Sequence, residues 1–307
     1  MDVFRGRSGW TERALSGLAA FAAFVAAFAG GVSAAQASRV LEKRVRAGDI
    51  VVVSRWKDPE AEDALDYAPR VSVLLGGREV AGVEFPDNVG MPKVFVVEMD
   101  PSNSRPEVVA ESYSGGAHCC EEIVVFSAPP NGGGGAWRKV ELGAFDGAER
   151  IPRDLDGDGL AEVLVRDDAF YYAYGCYGCS YAPPVILSVR DGRKVELTRR
   201  PSFRPVLREE EKRILRRMRE SREENGGRVE NGLLAGYVAL KLLLGEGAEG
   251  WNEMLKWHVR EKQEFCPVPG RDGDCAVRPL MISFPLSLAI ALRGRYIPDP
   301  AFSTSGN

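Results

Sequence analysis

From Asp49 onward the chain runs in short apolar stretches that alternate with polar residues and break at glycines. "DIVVVSRW" from Asp49, "KVFVVEM" from Lys93, "EVVAESY" from Glu107, "EEIVVFS" from Glu121, "WRKVEL" from Trp137 and "EVLVRDDAF" from Glu162 share this pattern. Residues two apart share one face of a strand, and β-branched side chains suit that surface, so each stretch predicts a strand. The pieces "GG", "NGGGG" and "RDG" supply the turns.

The pattern repeats. "YAPRVSVLLGGREV" (Tyr67 to Val80) and "YAPPVILSVRDGRKV" (Tyr181 to Val195) share Tyr-Ala-Pro, an alternating strand, a glycine turn and a second strand. A middle copy comprises the strands from Glu107, Glu121 and Trp137. The leading strands begin near residues 49, 107 and 162, a spacing of 55 to 58 residues. Each copy predicts three or four antiparallel strands, with Lys93 to Met99 as a fourth strand between the first two units. One such unit cannot bury both faces, so neighbours must stack.

After Pro201 the period changes. "LREEEKRILRRMRESREEN" places Leu207, Ile214, Leu215 and Met218 on one face of a charged helix that "NGG" at 225–227 stops. "LLAGYVALKLLLG" has one charge, Lys241, and reads as a buried helix. Trp251, Met254, Leu255 and His258 recur at helical spacing, and 285–292 predicts a last helix. The fold class expected is α+β and multi-domain. A β-repeat domain at 38–200 carries three blade-like units, open or propeller-like but incomplete. A helical domain follows at 203–298, then a polar tail at 299–307.

The N-terminus places the chain in a compartment. Arg5, Arg7 and Arg13 precede a long Ala- and Gly-rich apolar run that ends in Ala35-Gln36-Ala37. This is the layout of a secretory leader, cleaved near Ala37/Ser38, with residues 1–37 removed. An uncleaved anchor is the alternative, since the run is long enough to span a bilayer. The leader predicts a periplasmic or secreted protein that is not integral to the membrane after cleavage. The net charge of −4 excludes nucleic acid as a main partner, because a phosphate backbone demands a basic surface.

The segment "DLDGDGLAE", Asp154 to Glu162, carries the candidate chemistry. Carboxylates stand at its positions 1, 3, 5 and 9, with glycines at 4 and 6. A hard cation takes six to eight oxygens, and a tight glycine loop turns alternate side chains inward. An EF-hand is excluded, because its twelfth position is Val165 and a strand follows. The loop resembles the calcium loop of FG-GAP repeats, the blades of integrin-α-type β-propellers. The resemblance covers this loop well and the repeat region loosely. It implies Ca²⁺ held by Asp154, Asp156, Asp158, the Leu160 carbonyl and Glu162, although that family more often has Asp at the last position. The middle unit's "MDPSNSRPE" keeps Asn103 and Glu107 but lacks the other carboxylates, so one cation site is expected. Such propellers usually close with about seven blades, and this chain has room for three.

Six cysteines lie beyond the leader. An even count in an oxidising compartment points to disulfides. Cys119 and Cys120 occupy the same place in the middle unit as Cys176 and Cys179 in the third. Pairing within each pair and pairing across units both stay open. Cys266 and Cys275 flank a ten-residue loop and suit a local bridge, with Asp272 and Asp274 as turn residues. A zinc or copper site using His118 and a Cys-x-x-Cys redox site are the lesser readings. The chain has two histidines and no Walker loop, GxSxG or HExxH motif. His258 reads as a core or boundary residue. The functional expectation is an exported calcium-binding module without catalytic residues, binding or scaffolding an unidentified protein or envelope ligand. The alternative is an envelope enzyme, a hydrolase or thiol-redox protein, using the Cys/Tyr-rich segment 171–181. That aromatic segment suits either a sugar- or peptide-binding surface or core packing.

Overall fold

The computed structural model describes residues 39–116, 119–130, 135–146, 151–268 and 275–297. The leader at 1–37, His118, Asp272, Asp274 and the tail at 299–307 lie outside them. Strands β1 (Leu41–Ala47), β2 (Ile50–Trp56), β3 (Arg70–Leu75) and β4 (Arg78–Glu84) form one antiparallel meander. A second contains β5 (Val89–Val97), β6 (Glu107–Tyr113), β7 (Glu121–Ser127) and β8 (Arg138–Phe145). The third pairs β9 (Val163–Arg166), β10 (Pro184–Arg190) and β11 (Arg193–Glu196), with β10 central. The repeated hairpins coincide with β3–β4 and β10–β11. Their turns need positive φ at both central residues, supplied by Gly76-Gly77 and by Asp191-Gly192.

The sheets stack through alternate side chains. Val108, Ala110, Val124 and Phe126 of the second sheet pack with Val52, Val71 and Val73 of the first. Val109, Ile123 and Val125 face the other way, onto Val163, Val165, Leu187 and Val189 of the third. A sheet covered on both faces reads as a continuous apolar run, which is why β6 and β7 are buried almost throughout. On the third sheet Ile186 points away from Leu187 and packs with Leu197 and Phe203 at the entrance to the helices.

The helices are α1 (Arg204–Glu224), α2 (Asn231–Leu243), α3 (Gly247–Trp257) and α4 (Phe284–Ala291). A short hairpin of β12 (Lys262–Phe265) and β13 (Leu280–Ser283) precedes α4. The helical core includes Phe170, Tyr181 and Ala182 from the chain around the third sheet, so it crosses the 200–203 junction. Among the described residues, no helix is long and apolar enough to cross a membrane.

Four expectations are corrected. The first sheet starts at Leu41, and the strand from Asp49 is its second; "LEKRVRA" is an exposed, charged edge strand with no apolar alternation to reveal it. The segment from Lys93 opens the second sheet as part of β5, with an irregular register between Val89 and Lys93. Leu215 is 38% exposed, so the buried face of α1 is Leu207, Glu210, Ile214, Met218 and Ser221. Leu255 is also exposed, and His258 lies just past α3, half-buried, at the helix end.

Two contacts seat the helices on the third sheet. Glu210, 3% exposed, receives Arg166 Nη1 at 2.6 Å and Nη2 at 3.2 Å, and the Tyr181 hydroxyl at 2.6 Å. Arg213 adds a contact at 3.0 Å. Burial pushes the Glu210 carboxyl upward, but the Arg166 guanidinium outweighs it and the net position is below the ordinary range. Separately, Gly236 of α2 lies against the chain at Tyr181, where a Cβ would sit 2.0 Å from the Tyr181 carbonyl oxygen.

Arg166→Met is expected to lower stability by about 3 kcal/mol, because it strips a buried carboxylate of its main partner; urea unfolding checks this. The folded pKa of Glu210 is depressed, so its contribution is present at neutral pH and lost as pH falls through the carboxylate range. Glu210→Gln is expected to flatten that acid limb in pH-dependent unfolding. Gly236→Ala should gain roughly 1 kcal/mol of helix propensity but lose more to the clash, which no rotamer relieves, giving a net fall in the urea midpoint.

Candidate functional site

The loop that follows Arg153 is closed at its base by a reciprocal pair. Arg153 N donates to Glu162 O at 3.0 Å, and Glu162 N donates to Arg153 O at 2.9 Å. Gly157 and Gly159 take φ of 84° and 87°, which a side chain would resist. Asp154 Oδ1 accepts from Gly157 N at 2.7 Å and Oδ2 from Gly159 N at 2.9 Å. Asp158 Oδ1 accepts from Leu160 N at 2.8 Å.

Ligand oxygens of Asp154, Asp156 and Glu162 lie within 4.8 Å of one another. Asp158 stands outside this group, exposed, and Leu160 is half-buried. Glu162 is fully buried; its Oε2 accepts from Leu155 N at 3.1 Å, and its Oε1 lies 3.4 Å from Arg190 Nη2. Burial, against the Leu155 N–H and with help from the Asp156 and Asp158 charges, pushes Glu162 up to about 7. The Gly159 and Gly157 N–H groups hold Asp154 below its ordinary value. Three carboxylates thus converge, one of them buried with little donor support. An oxygen-seeking divalent cation fits this donor set, since it would offset the repulsion that the single long Arg190 contact leaves.

The middle copy shows the same loop with different chemistry. Glu107, also fully buried, accepts from Asp100 N at 2.9 Å, in the position where Glu162 accepts from Leu155 N. Met99 N, Asn103 Nδ2 and Ser127 Oγ add donors at 2.8, 2.8 and 3.0 Å. Asp100 in turn accepts from Asp191 N at 3.0 Å and Gly192 N at 2.6 Å in the β10–β11 turn. Arg105 pairs with Asp49 at 2.8 Å in the β1–β2 turn. This loop therefore links all three sheets. Asn103 and Glu107 were visible in the motif comparison, whereas Asp100, Arg105 and Arg190 gave no local signal.

The six cysteines form three local bridges: Cys119–Cys120, Cys176–Cys179 and Cys266–Cys275. The first two fill equivalent places, before β7 and before β10. With no free cysteine among the described residues, thiolate ligands are absent there. The aromatic segment is divided. Tyr174 packs edge-on to Phe284 at 5.2 Å, Tyr171 stacks on Tyr177 at 4.6 Å, and Tyr172 is 61% exposed. His258 Nδ1 lies 3.2 Å from the Leu255 carbonyl, beside Phe284 rather than a carboxylate.

Residues 207–295 match the family described as the sll0997 C-terminal domain. Over 222 residues the chain is 32% identical to the "Probable thylakoid lumen protein sll0997" of Synechocystis sp. (strain ATCC 27184 / PCC 6803 / Kazusa), covering 72% of this chain and 64% of that protein. It is 30% identical over 224 residues to the "Uncharacterized protein y4bJ" of Sinorhizobium fredii (strain NBRC 101917 / NGR234), covering 71% of this chain and 34% of that protein. The chain thus spans 64% and 34% of the lengths of these curated relatives. No solved structure matches it.

Asn103→Asp would replace the amide donor to Glu107 with a second carboxylate. It is expected to cost roughly 1–3 kcal/mol at neutral pH, the usual penalty for a buried acceptor left without its donor. Denaturant titration with and without the substitution measures it.

Proposed function

We propose that this protein works outside the cytoplasm as a calcium-ordered binding or scaffolding module, with no catalysis of its own. The observation that carries the reading is Glu162: a fully buried carboxylate grouped with Asp154 and Asp156 in a glycine loop. Ca²⁺ would be held by the grouped carboxylates of Asp154, Asp156 and Glu162, with Asp158 and the Leu160 carbonyl as the further ligands that the FG-GAP likeness implies. When bound it would supply positive charge to the converging oxygens and so order the loop. The chain's own residues shape the loop: Gly157 and Gly159 bend it, Asp154 gathers its N–H groups, and the Arg153–Glu162 pair anchors it to β9. The consecutive meanders and the loop before β9 support an FG-GAP-like, blade-type assembly whose third sheet is covered by helices. The leader-like N-terminus, the paired cysteines and a relative named as a thylakoid lumen protein support an extracytoplasmic location after cleavage near Ala37/Ser38. The ligand is a protein or another envelope component.

Thermal unfolding of the oxidised protein with calcium and with excess chelator tests the proposal. Calcium at a hundredfold excess over its dissociation constant should stabilise by about 2.7 kcal/mol, seen as a higher midpoint. Asp156→Ala should abolish the shift while leaving the chelated midpoint near that of the parent. An unchanged midpoint in the parent protein would remove the calcium site and the family likeness with it.

A further inference from the structure

The loop 175–180 carries a disulfide in surroundings that the calcium reading does not use. Cys176 is exposed and Cys179 half-buried. Their bridge closes only Cys-Tyr-Gly-Cys, so it removes little entropy from the unfolded chain. Other contacts already hold the loop. The Tyr177 hydroxyl donates to Asp146 Oδ1 at 2.8 Å, and its ring stacks on Tyr171. Ser180 Oγ donates to the Cys176 carbonyl at 2.8 Å. Arg217 of α1 donates to the Gly178 and Ser180 carbonyls at 2.5 and 3.0 Å. A loop held this way keeps its shape when the bridge opens.

Two features address the sulfurs. Cys179 N donates to Cys176 Sγ at 3.0 Å, a bond that strengthens when that sulfur is charged. Cys179 and Arg217 line one cavity of about 260 Å³, which Glu220, Glu224 and Glu230 also line. The Cys179 N–H favours thiolate at Cys176, the reactive form of cysteine, and Arg217 offsets part of the negative charge of the cavity at Cys179. By contrast, Cys266 and Cys275 both have their sulfurs near the Val268 carbonyl, at 3.1 and 3.7 Å, which opposes thiolate.

We propose that Cys176–Cys179 is a thiol–disulfide exchange site that accepts two electrons from a protein dithiol. The partner's thiolate attacks the exposed Cys176 Sγ. The Cys176–Cys179 bond breaks, and its electron pair leaves on Cys179, which shares a cavity with Arg217. The partner's second thiolate then attacks the partner sulfur of the mixed disulfide and expels Cys176 as thiolate, held by the Cys179 N–H. The partner leaves as a disulfide, and its two thiol protons pass to Cys176 and Cys179 or to solvent. The site is independent of calcium.

The test is graded reduction of the oxidised protein in dithiothreitol buffers, with alkylation and mass mapping of every cysteine and circular dichroism in parallel. Cys176–Cys179 should open at a reductant ratio at least tenfold lower than Cys266–Cys275, with the spectrum unchanged. Thioredoxin lacking its second active-site cysteine, used as the probe dithiol's trap, should form a mixed disulfide on Cys176. Arg217→Gln should slow trapping several-fold, and Arg217→Lys should restore part of the rate. Opening only on unfolding, trapping at Cys119 or Cys120 alone, or equal trapping rates in Arg217→Gln and the parent would each overturn the proposal.

Discussion

The buried carboxylate of Glu210 constrains how the two halves of the chain meet. An ion at this depth without partners costs several kcal/mol, a large share of the 5–15 kcal/mol that holds a domain together. Helix α1 can therefore dock only where Arg166 and the Tyr181 hydroxyl converge. Both partners belong to the third sheet: Arg166 ends β9, and Tyr181 leads into β10. Apolar contact between Phe203, Ile186 and Leu197 supplies area at this junction. Area alone tolerates sliding, whereas the pairing of one carboxylate with a guanidinium and a phenol does not.

Helix α2 is held by the same logic. Lys241 is 2% exposed and meets Glu211 at 2.8 Å, Glu246 at 2.5 Å and Glu249 at 3.0 Å. Burial works against its charge, but the three carboxylates hold its proton more firmly than usual. Arg208 joins Glu246 from α1, so α1, α2 and the start of α3 share one polar knot. One turn or more back along α2, Gly232 and Gly236 admit the backbone of Cys179 and Tyr181. The segment that brings the disulfide to the surface is thus clamped between Arg217 of α1 and the glycine face of α2.

The sheets were legible where burial forces alternation, and illegible where it does not. The β3–β4 and β10–β11 hairpins announced themselves because their inner faces are covered and their turns need glycine. The edge strand β1 faces water, so Glu42, Lys43, Arg44 and Arg46 leave no period to read. The hairpin of β12 and β13 is likewise largely exposed, and its strands are shorter still, at four residues each. For the helices, the apolar face of α1 was readable, but its most important inward residue is the charged Glu210, and pattern reading assigns such a residue to solvent. In the loop, Asp154 to Glu162 could be found from spacing alone. Arg190, which reaches Glu162 from another strand, could not, because nothing local distinguishes it from a surface arginine.

The two loops before β6 and β9 solve one problem in different ways. Each places a glutamate with no exposed surface at the entry to a strand that packs against a neighbouring sheet. In the second sheet, protein donors satisfy it: two backbone N–H groups, the Asn103 amide and the Ser127 hydroxyl. In the third sheet, Asp158 stands where the repeat puts Asn103, and the hydroxyl corresponding to Ser127 is not among the donors to Glu162. Burial pushes both carboxyls upward: Glu107 against four donors, and Glu162, to about 7, against one backbone N–H and beside the charges of Asp156 and Asp158. The second arrangement is costly unless something positive enters the loop. That asymmetry between copies of one unit, more than the acidity of the loop itself, is what favours the third sheet over the second for the proposed cation.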